Sequence, residues 1–520
     1  MRRISHVKRA RIFGRRRKAR KDFVLGLLGL LLCVMPVFAA PCESLISLAA
    51  PHAKIDFAQT VAAGDFRPPG NGKAAGAAAF RNLPAFCRIA ATLKPSSDSD
   101  IKIEVWMPAS GWNHSLESVG NGAWAGSISL AAMATALAAG YATASTDTGH
   151  AGNNADFILG HPEKVTDFAY RAVHEMTVAA KAIVAAYYGR PAAHSYWNGC
   201  STGGRQALAE AQRYPGDYDG IVAGAPANYV THLQGQQVWM NQIVHKDEGS
   251  FLPAEKLKLL HEAALKSCDA LDGVKDGVLE DPTRCHFDPK ELACANGDSS
   301  SCLTPPQTDA ARQIYAGPLS AKTGQPLFPG LERGSEMGWA TLSGAKPMSL
   351  AEETYKYLVF RDPNWNYMTF DADRDMAHAD AILSATMNST DPNLKPLFSR
   401  GGKLLMYHGW ADPGIAPRNS VNYYESVVEK VGGAKKAAES IRLFMVPGMG
   451  HCRGGDGTDN FDAMAALADW VEKRKAPARI EASHQTRGVV DRTRPLCPYP
   501  QTAQYKGIGS TDESASFTCK

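Results

Sequence analysis

Outside residues 23–38 the chain has no apolar run long enough to span a bilayer, which takes about 20 residues. None of its 11 cysteines forms a C-x-x-C pair, so the spacing of a structural zinc site or a thioredoxin-type redox motif is missing. The glycine cluster Gly120-Asn121-Gly122-Ala123-Trp124-Ala125-Gly126 lacks the G-x-G-x-x-G spacing, and no acidic residue closes a strand about 20 residues later. That excludes a dinucleotide fingerprint. There is no internal repeat and no low-complexity tract, so a repeat architecture is excluded too. Basic charge is scarce where it would matter. The formal charge is +4, but residues 1–22 hold eleven Lys or Arg and one acidic residue. The rest of the chain carries 45 basic against 51 acidic side chains, a net −6, which argues against nucleic acid as a partner.

What is present at the N-terminus is a basic stretch followed by the uncharged run Phe23–Phe38 and then Ala39-Ala40-Pro41. That order describes a secretory signal peptide, residues 1–40, cleaved near Ala39 or Ala40. An uncleaved anchor is the rival reading, and Pro36 interrupts the run that would have to span. The expectation is a secreted or periplasmic protein with no stable membrane insertion once the leader is gone. Ten cysteines then remain, and an even number in an exported chain points to disulfides. Cys294 and Cys302, and Cys268 and Cys285, are natural neighbours, but spacing alone leaves the connectivity open.

With 520 residues, 44% hydrophobic and 21% charged, the chain is an ordinary globular protein with room for a large core and an insertion. After a mixed lead-in over residues 41–100, Ile101–Trp106 alternates as a strand, and an Ala-rich helix follows from about Ser129 to Ala139. Tyr141–Ser145 reads as a strand, Lys164–Tyr188 as a long helix stopped by Gly189, and His194–Trp197 and Gly220–Gly224 as further strands. The rhythm breaks near Asn228 and returns at Lys403–Tyr407 and Arg442–Val446, with a helix over Phe461–Glu472. Strand and helix in alternation predict a doubly wound, mostly parallel α/β sheet. The expected arrangement is a core in two parts, residues 41–227 and 396–520, with an inserted lid over residues 228–395.

Between the strand at His194 and a helical pattern from Arg205 lies Gly199-Cys200-Ser201-Thr202-Gly203, a G-x-S-x-G in strand–turn–helix context. A serine hydroxyl needs a base to take its proton, and the base needs an acid to orient it. In an α/β hydrolase these follow in the order Ser, Asp or Glu, His, on loops after late strands. Two such loops exist: His408-Gly-Trp-Ala-Asp412-Pro after one strand, and Pro447-Gly-Met-Gly-His451-Cys452 after the next. Ser201, Asp412 and His451 are the catalytic candidates, with His408 lining the pocket or bonding within its loop. Asp456 and Asp462 are weaker candidates because they follow the histidine. Cys200 precedes the nucleophile and Cys452 follows the base, so bringing Ser201 and His451 together brings these cysteines into bridging range. The early Gly122-Ala123 loop is placed to give a backbone N–H to an oxyanion hole. A second constellation, Asp269-Ala-Leu-Asp272-Gly-Val274-Lys-Asp276-Gly-Val278, suits a hard cation such as Ca²⁺ but lacks EF-hand spacing. Its rival is an acidic, solvated turn.

Gly-Cys-Ser-Thr-Gly-Gly at residues 199–204, His-Gly-Trp-Ala-Asp-Pro at 408–413 and Pro-Gly-Met-Gly-His-Cys at 447–452 resemble the tannase/feruloyl esterase family, from about Cys42 to Cys519. That family also includes bacterial mono(2-hydroxyethyl) terephthalate hydrolase. The resemblance implies an α/β-hydrolase core, a lid, and a structural Ca²⁺ held there by the carboxylates of Asp269, Asp272 and Asp276 and the carbonyls of Val274 and Val278. It implies an oxyanion hole from the N–H of Thr202 and one from Gly122 or Ala123, where Ala123 stands in place of the family's paired glycine. It also implies the pairs Cys42–Cys87, Cys200–Cys452, Cys268–Cys285, Cys294–Cys302 and Cys497–Cys519. The activity implied is hydrolysis of a small aromatic ester, feruloyl, galloyl or another phenolic ester, and for the family as a whole the resemblance implies aromatics of the lid stacking on the acyl ring, with no residue assigned to that contact. A terephthalate-ester hydrolase, a peptidase or thioesterase on this fold, and a binding protein that has lost catalysis are the alternatives. Oligomeric state is not legible.

Overall fold

The computed structural model describes residues 39–69, 77–346 and 349–520. All but the last two residues of the expected signal peptide lie outside them. Nine strands form one sheet in the spatial order β1-β2-β3-β5-β4-β6-β7-β8-β9, where β1 is Ala53–Val61, β2 Phe86–Leu93, β3 Ile101–Pro108, β4 Ser115–Val119, β5 Ala142–Thr146, β6 His194–Cys200, β7 Gly220–Gly224, β8 Lys403–Gly409 and β9 Ile441–Val446. The pairs from β5 through β4, β6, β7 and β8 to β9 are parallel, and β1, β2 and β3 add an antiparallel edge. This is the doubly wound, mostly parallel sheet of an α/β hydrolase.

Gly-Ile-Val-Ala-Gly of β7 is buried at every position because helices cover both faces. On one face the helices Ala172–Tyr188, Thr202–Arg213 and Arg418–Val431 pack through residues such as Ile183, Leu208 and Val427. On the other, Ala463–Lys473 packs Leu467 and Trp470 over the sheet, and Leu130–Ala138 packs Met133 and Leu137 beside Trp106.

Residues 41–100 correct the reading of a mixed lead-in, since they contain β1 and β2. β1 carries Lys54, Asp56, Gln59 and Thr60 on an edge with only Ile55 fully buried, so its apolar alternation is weak. β4 is a further strand that the pattern does not reveal. Its Ser-Leu-Glu-Ser-Val is wholly buried, with Glu117 accepting a hydrogen bond from Asn198 Nδ2 at 3.0 Å. Burial pushes the Glu117 carboxyl up to about 7, with the Asn198 bond working the other way. The long helix over 164–188 is continuous in direction but contains a π-helical turn at Asp167–Arg171. The late helix begins at Ala463, two residues after the sequence expectation, because the Asp462 side chain caps it by accepting from Ala465 N–H at 2.7 Å. At the C-terminus Ile480–Thr486 and Val489–Leu496 form a hairpin with Asn460–Phe461.

β7 and β8 are neighbours in register, Gly220 opposite Lys403, so everything between them is an insertion into the sheet's connectivity. It holds four longer helices, Val230–His245, Ala254–Cys268, Pro305–Ala316 and Ala372–Met387. Its apolar side chains gather in two clusters, Leu257, Phe287, Phe328 and Trp339 with Ile415 of the core in one, and Tyr355, Phe370 and Met376 with Trp124 and Phe168 of the core in the other. The five bridges are Cys42–Cys87, Cys200–Cys452, Cys268–Cys285, Cys294–Cys302 and Cys497–Cys519. Among the described residues no helix is long and apolar enough to cross a membrane.

Candidate active site

β6 ends at Cys200 and a helix begins at Thr202, so Ser201 stands alone at the turn with φ 64° and ψ −121°. A residue with a Cβ reaches that backbone region only at a cost, which the surroundings must offset. Glycine makes the offset geometrically available. A Cβ on Gly199 would stand 2.5 Å from Gly203 O, and one on Gly204 would stand 2.2 Å from Gly224 O. The turn is then tied down on both sides: Ser201 N–H donates to Gly224 O at 3.0 Å, and Ser201 O accepts from Ala227 N–H at 3.1 Å.

The candidate acid and base, Asp412 and His451, come from the loops after β8 and β9. Asp412 is fully buried and its carboxylate is saturated. Oδ2 lies 2.7 Å from His451 Nδ1 and 3.1 Å from His408 Nε2, and Oδ1 accepts from the N–H groups of Gly414 at 2.8 Å and Ile415 at 3.0 Å. Burial alone would raise its pKa, but the charge of His451 and the hydrogen bonds from both histidines outweigh it, so the carboxyl lies well below its usual range. For His451, burial pulls the pKa down and the charge and hydrogen bond of Asp412 push it up by more, leaving it above the ordinary imidazole value. His408 sits in the loop network, its Nδ1 2.7 Å from Ser420 Oγ. Asp456 instead lies 3.3 Å from His261, and Asp462 is the helix cap.

Ser201 and His451 line one cavity of about 810 Å³, together with Thr202, Gly122 and Ala123. The Cys200–Cys452 bridge joins the elbow to the histidine loop, with 6.1 Å between the two Cα atoms. Thr202 is the first helical residue, so its N–H belongs to the turn that has no acceptor within the helix. Its side chain donates to Ala123 O at 2.9 Å, which docks the Gly122-Ala123 loop onto the elbow. Ala123 itself has φ 49°.

Sequence reasoning missed the residues that fix this loop. Gln206 donates to Asn121 Oδ1 at 3.0 Å and accepts from Asn121 N–H at 3.1 Å, while Asn121 Nδ2 reaches Thr146 O at 2.8 Å. Gly203 N–H adds a bond to Asn121 O at 2.8 Å. Arg205 is also new. It is buried in the cavity wall, bonded to Ala169 O at 2.5 Å and Phe168 O at 3.2 Å, and packed on the Phe168 ring. Burial lowers its guanidinium to about 10. The available signal for both was spacing: four and five residues after the serine on one helix, they lie about one turn along.

None of the insertion's aromatics Trp239, Trp339, Tyr357, Trp365 and Tyr367 lines the cavity. Trp339 is buried in the first of the two clusters, Trp239 packs against both, and Tyr357, Trp365 and Tyr367 pack around the second, which also holds Trp124 and Phe168. The cavity's aromatics are Trp124 and Phe168, from the core, while the insertion supplies the aliphatic Val230, Leu233, Leu350 and Met387. A large ring far from a site fills a core as well as it fills a pocket, and the insertion must bury its own apolar surface first.

The acidic loop of the insertion fits a hard cation in its donors and charge. Gly273 with φ 90° and Gly277 with φ 78° fold the chain so that Asp269, Asp272 and Asp276 each accept nearby backbone N–H groups. Burial raises the Asp272 carboxyl, the hydrogen bond from Val274 N–H works the other way, and the charges of Asp276 and Asp269 add to the rise. Arg494 supplies positive charge at Asp276, 2.5 Å away. Cys268–Cys285 brackets the loop.

Against known proteins, the family model described as tannase and feruloyl esterase matches residues 87–520. The chain is 37% identical to an uncharacterised esterase of Xanthomonas campestris pv. campestris, over 95% of this chain and 93% of that one. It is 34% identical to a "probable feruloyl esterase B-2" of Aspergillus terreus, over 92% and 95%. Among solved structures, feruloyl esterase B from Aspergillus oryzae superposes with a TM-score of 0.86 at 31% identity, covering 92% of this chain and 99% of that one. The tannin acyl hydrolase of Aspergillus niger, at 23% identity and a TM-score of 0.77, shares the fold over 93% and 95%.

Proposed function

The chain belongs to the tannase and feruloyl esterase family and is a carboxylic ester hydrolase, and from that premise we propose that Ser201, His451 and Asp412 cleave esters of aromatic acids through an acyl-enzyme. The observation that carries the reading is the His451–Asp412 contact at 2.7 Å, opening onto the same cavity as an elbow serine.

His451, its Nδ1 held by Asp412, presents Nε2 as the base that takes the Ser201 proton as Oγ attacks the ester carbonyl carbon. The carbonyl oxygen becomes an oxyanion facing the N–H of Thr202 and one from the Gly122-Ala123 loop, donors whose positions are fixed before reaction. Collapse breaks the bond to the alcohol oxygen, which leaves with the proton returned from His451. Water then repeats the sequence on the acyl-enzyme, His451 again taking and returning a proton, and the acid is released. Asp412 favours the imidazolium at each step, consistent with the raised pKa of His451.

The apolar lining suits an aryl acyl group, with Trp124 and Phe168 from the core and Val230, Leu233, Leu350 and Met387 from the insertion. The inserted segment over residues 228–395 acts as the lid that supplies those aliphatic side chains. Ca²⁺ held by Asp269, Asp272, Asp276 and the carbonyls of Val274 and Val278 would neutralise the acidic loop and stiffen the lid, away from the cavity. The five disulfides support an extracellular or periplasmic location reached through the signal peptide.

The test is kcat/KM on methyl ferulate, methyl gallate, mono(2-hydroxyethyl) terephthalate and an aliphatic methyl ester of matched size, with fluorophosphonate labelling of wild type and Ser201→Ala. Preference for an aryl acyl group and loss of labelling in the variant are expected. Labelling that persists in Ser201→Ala would refute the nucleophile, and equal rates on the aliphatic ester would refute the substrate class.

A further inference from the structure

At the far end of the nucleophile helix, away from the cavity, His174, Glu210 and Asp217 each place one ligand atom within 4.8 Å of the others. His174 comes from the helix Ala172–Tyr188, Glu210 from the helix Thr202–Arg213, and Asp217 from the loop before β7. Glu210 has no exposed surface, and neither carboxylate oxygen has a hydrogen-bond donor. A buried carboxylate left without donors bears its full desolvation cost. Its neighbours do not meet the need. His174 Nδ1 is engaged with Asp217 Oδ2 at 2.7 Å, its ring is stacked on Tyr214, and the Lys181 ammonium donates to the backbone carbonyl of Asp217.

We propose that His174, Glu210 and Asp217 form a structural site for a divalent transition metal. One imidazole nitrogen and two carboxylates are a ligand set for a borderline cation such as Zn²⁺, in contrast to the all-oxygen loop at Asp269–Val278, which suits Ca²⁺. Two carboxylates and a neutral imidazole balance one divalent charge. Glu210 alone is fully buried, and His174 and Asp217 are partly exposed, so the open side of the site gives the ion an entry path. The metal would bind the end of the nucleophile helix and the loop leading into β7 to the neighbouring helix. None of the three side chains lines the catalytic cavity, so the readout is stability and metal binding rather than rate.

The test uses the full-length protein, stripped with chelator and returned to excess Ca²⁺ so that the acidic loop is not the variable. Zn²⁺ is titrated calorimetrically, Co²⁺ by its visible absorption, and melting temperature is read with and without Zn²⁺. One equivalent should bind and raise the melting temperature. Glu210→Gln, which keeps the shape of the side chain, and His174→Gln should each weaken binding by about tenfold or more, with ester turnover unchanged. Wild-type protein that neither binds Zn²⁺ nor gains stability would overturn the proposal. So would a Glu210→Gln variant that binds as tightly as wild type.

Discussion

Replacing both Cys200 and Cys452 by alanine tests whether the bridge serves the chemistry as well as the fold. Its two halves are 252 residues apart in sequence, against 22 for Cys497–Cys519. By chain entropy the first closure is worth about 5 kcal/mol and the second about 3 kcal/mol, so the clamp variant should lose roughly 2 kcal/mol more stability. Entropy predicts nothing about rate. Geometry does, because Cys200 adjoins the serine at the elbow and Cys452 adjoins His451. Cys452 also has φ 64°, a left-handed backbone that a residue with a Cβ holds at a cost of about 1–2 kcal/mol. Freed from the bridge, residue 452 can relax and carry His451 away from Ser201, and a displacement of about 1 Å can cost about 100-fold in rate. The assay is kcat and KM on a chromogenic aryl ester, at a temperature where circular dichroism shows both variants folded, beside urea unfolding. The clamp variant should lose kcat with KM nearly kept, and the Cys497→Ala, Cys519→Ala variant should lose stability with kcat nearly kept. A folded clamp variant whose kcat lies within about twofold of wild type would refute the positioning argument and leave the bridge a staple only.

Three further outcomes follow from the site. His451 is held above the ordinary imidazole value, so kcat/KM should fall as pH drops through that raised value and the base becomes protonated. Asp412→Asn removes the charge that raises it and leaves burial, which lowers it, so the acid limb should move to lower pH while turnover falls about 10,000-fold. A limb that stays in place in Asp412→Asn would show that the titrating group is not His451. Chelation should lower the melting temperature before it lowers turnover, with recovery on adding Ca²⁺, because a cation bound only to the folded state stabilises it by mass action. An unchanged melting curve and no calcium by elemental analysis would remove that site. Gly204→Ala would put a Cβ 2.2 Å from the Gly224 carbonyl, a backbone atom that cannot swing aside, and should cost about 3 kcal/mol. A variant as stable as wild type in urea would show that the elbow relaxes more freely than its packing implies.

The α/β core was legible in the chain because buried parallel strands are short apolar runs between helical patterns, and Gly220–Gly224 and Arg442–Val446 are of that kind. The order of Ser201, Asp412 and His451 was legible for a related reason: each follows a strand, and strand ends in a parallel sheet open on one edge. The bridge beside two of them could be inferred because a covalent link reports distance directly. Besides β2 in the same lead-in, β1 and β4 were hidden, the first because an edge strand exposes polar side chains along one side. The second was hidden because the interior can hold Glu117 when Asn198 donates to it, a pairing 81 residues apart. Only the tertiary structure decided which aromatics face the cavity. Trp124 and Phe168 do, and Trp339 does not, since every one of them is apolar and only packing distributes them between a core and a pocket. It alone brought Asn121 and Gln206 together to hold the loop before the elbow. It alone set His174, Glu210 and Asp217 within reach of one another, because no spacing along a sequence encodes how two helices and the loop that follows one of them meet in space.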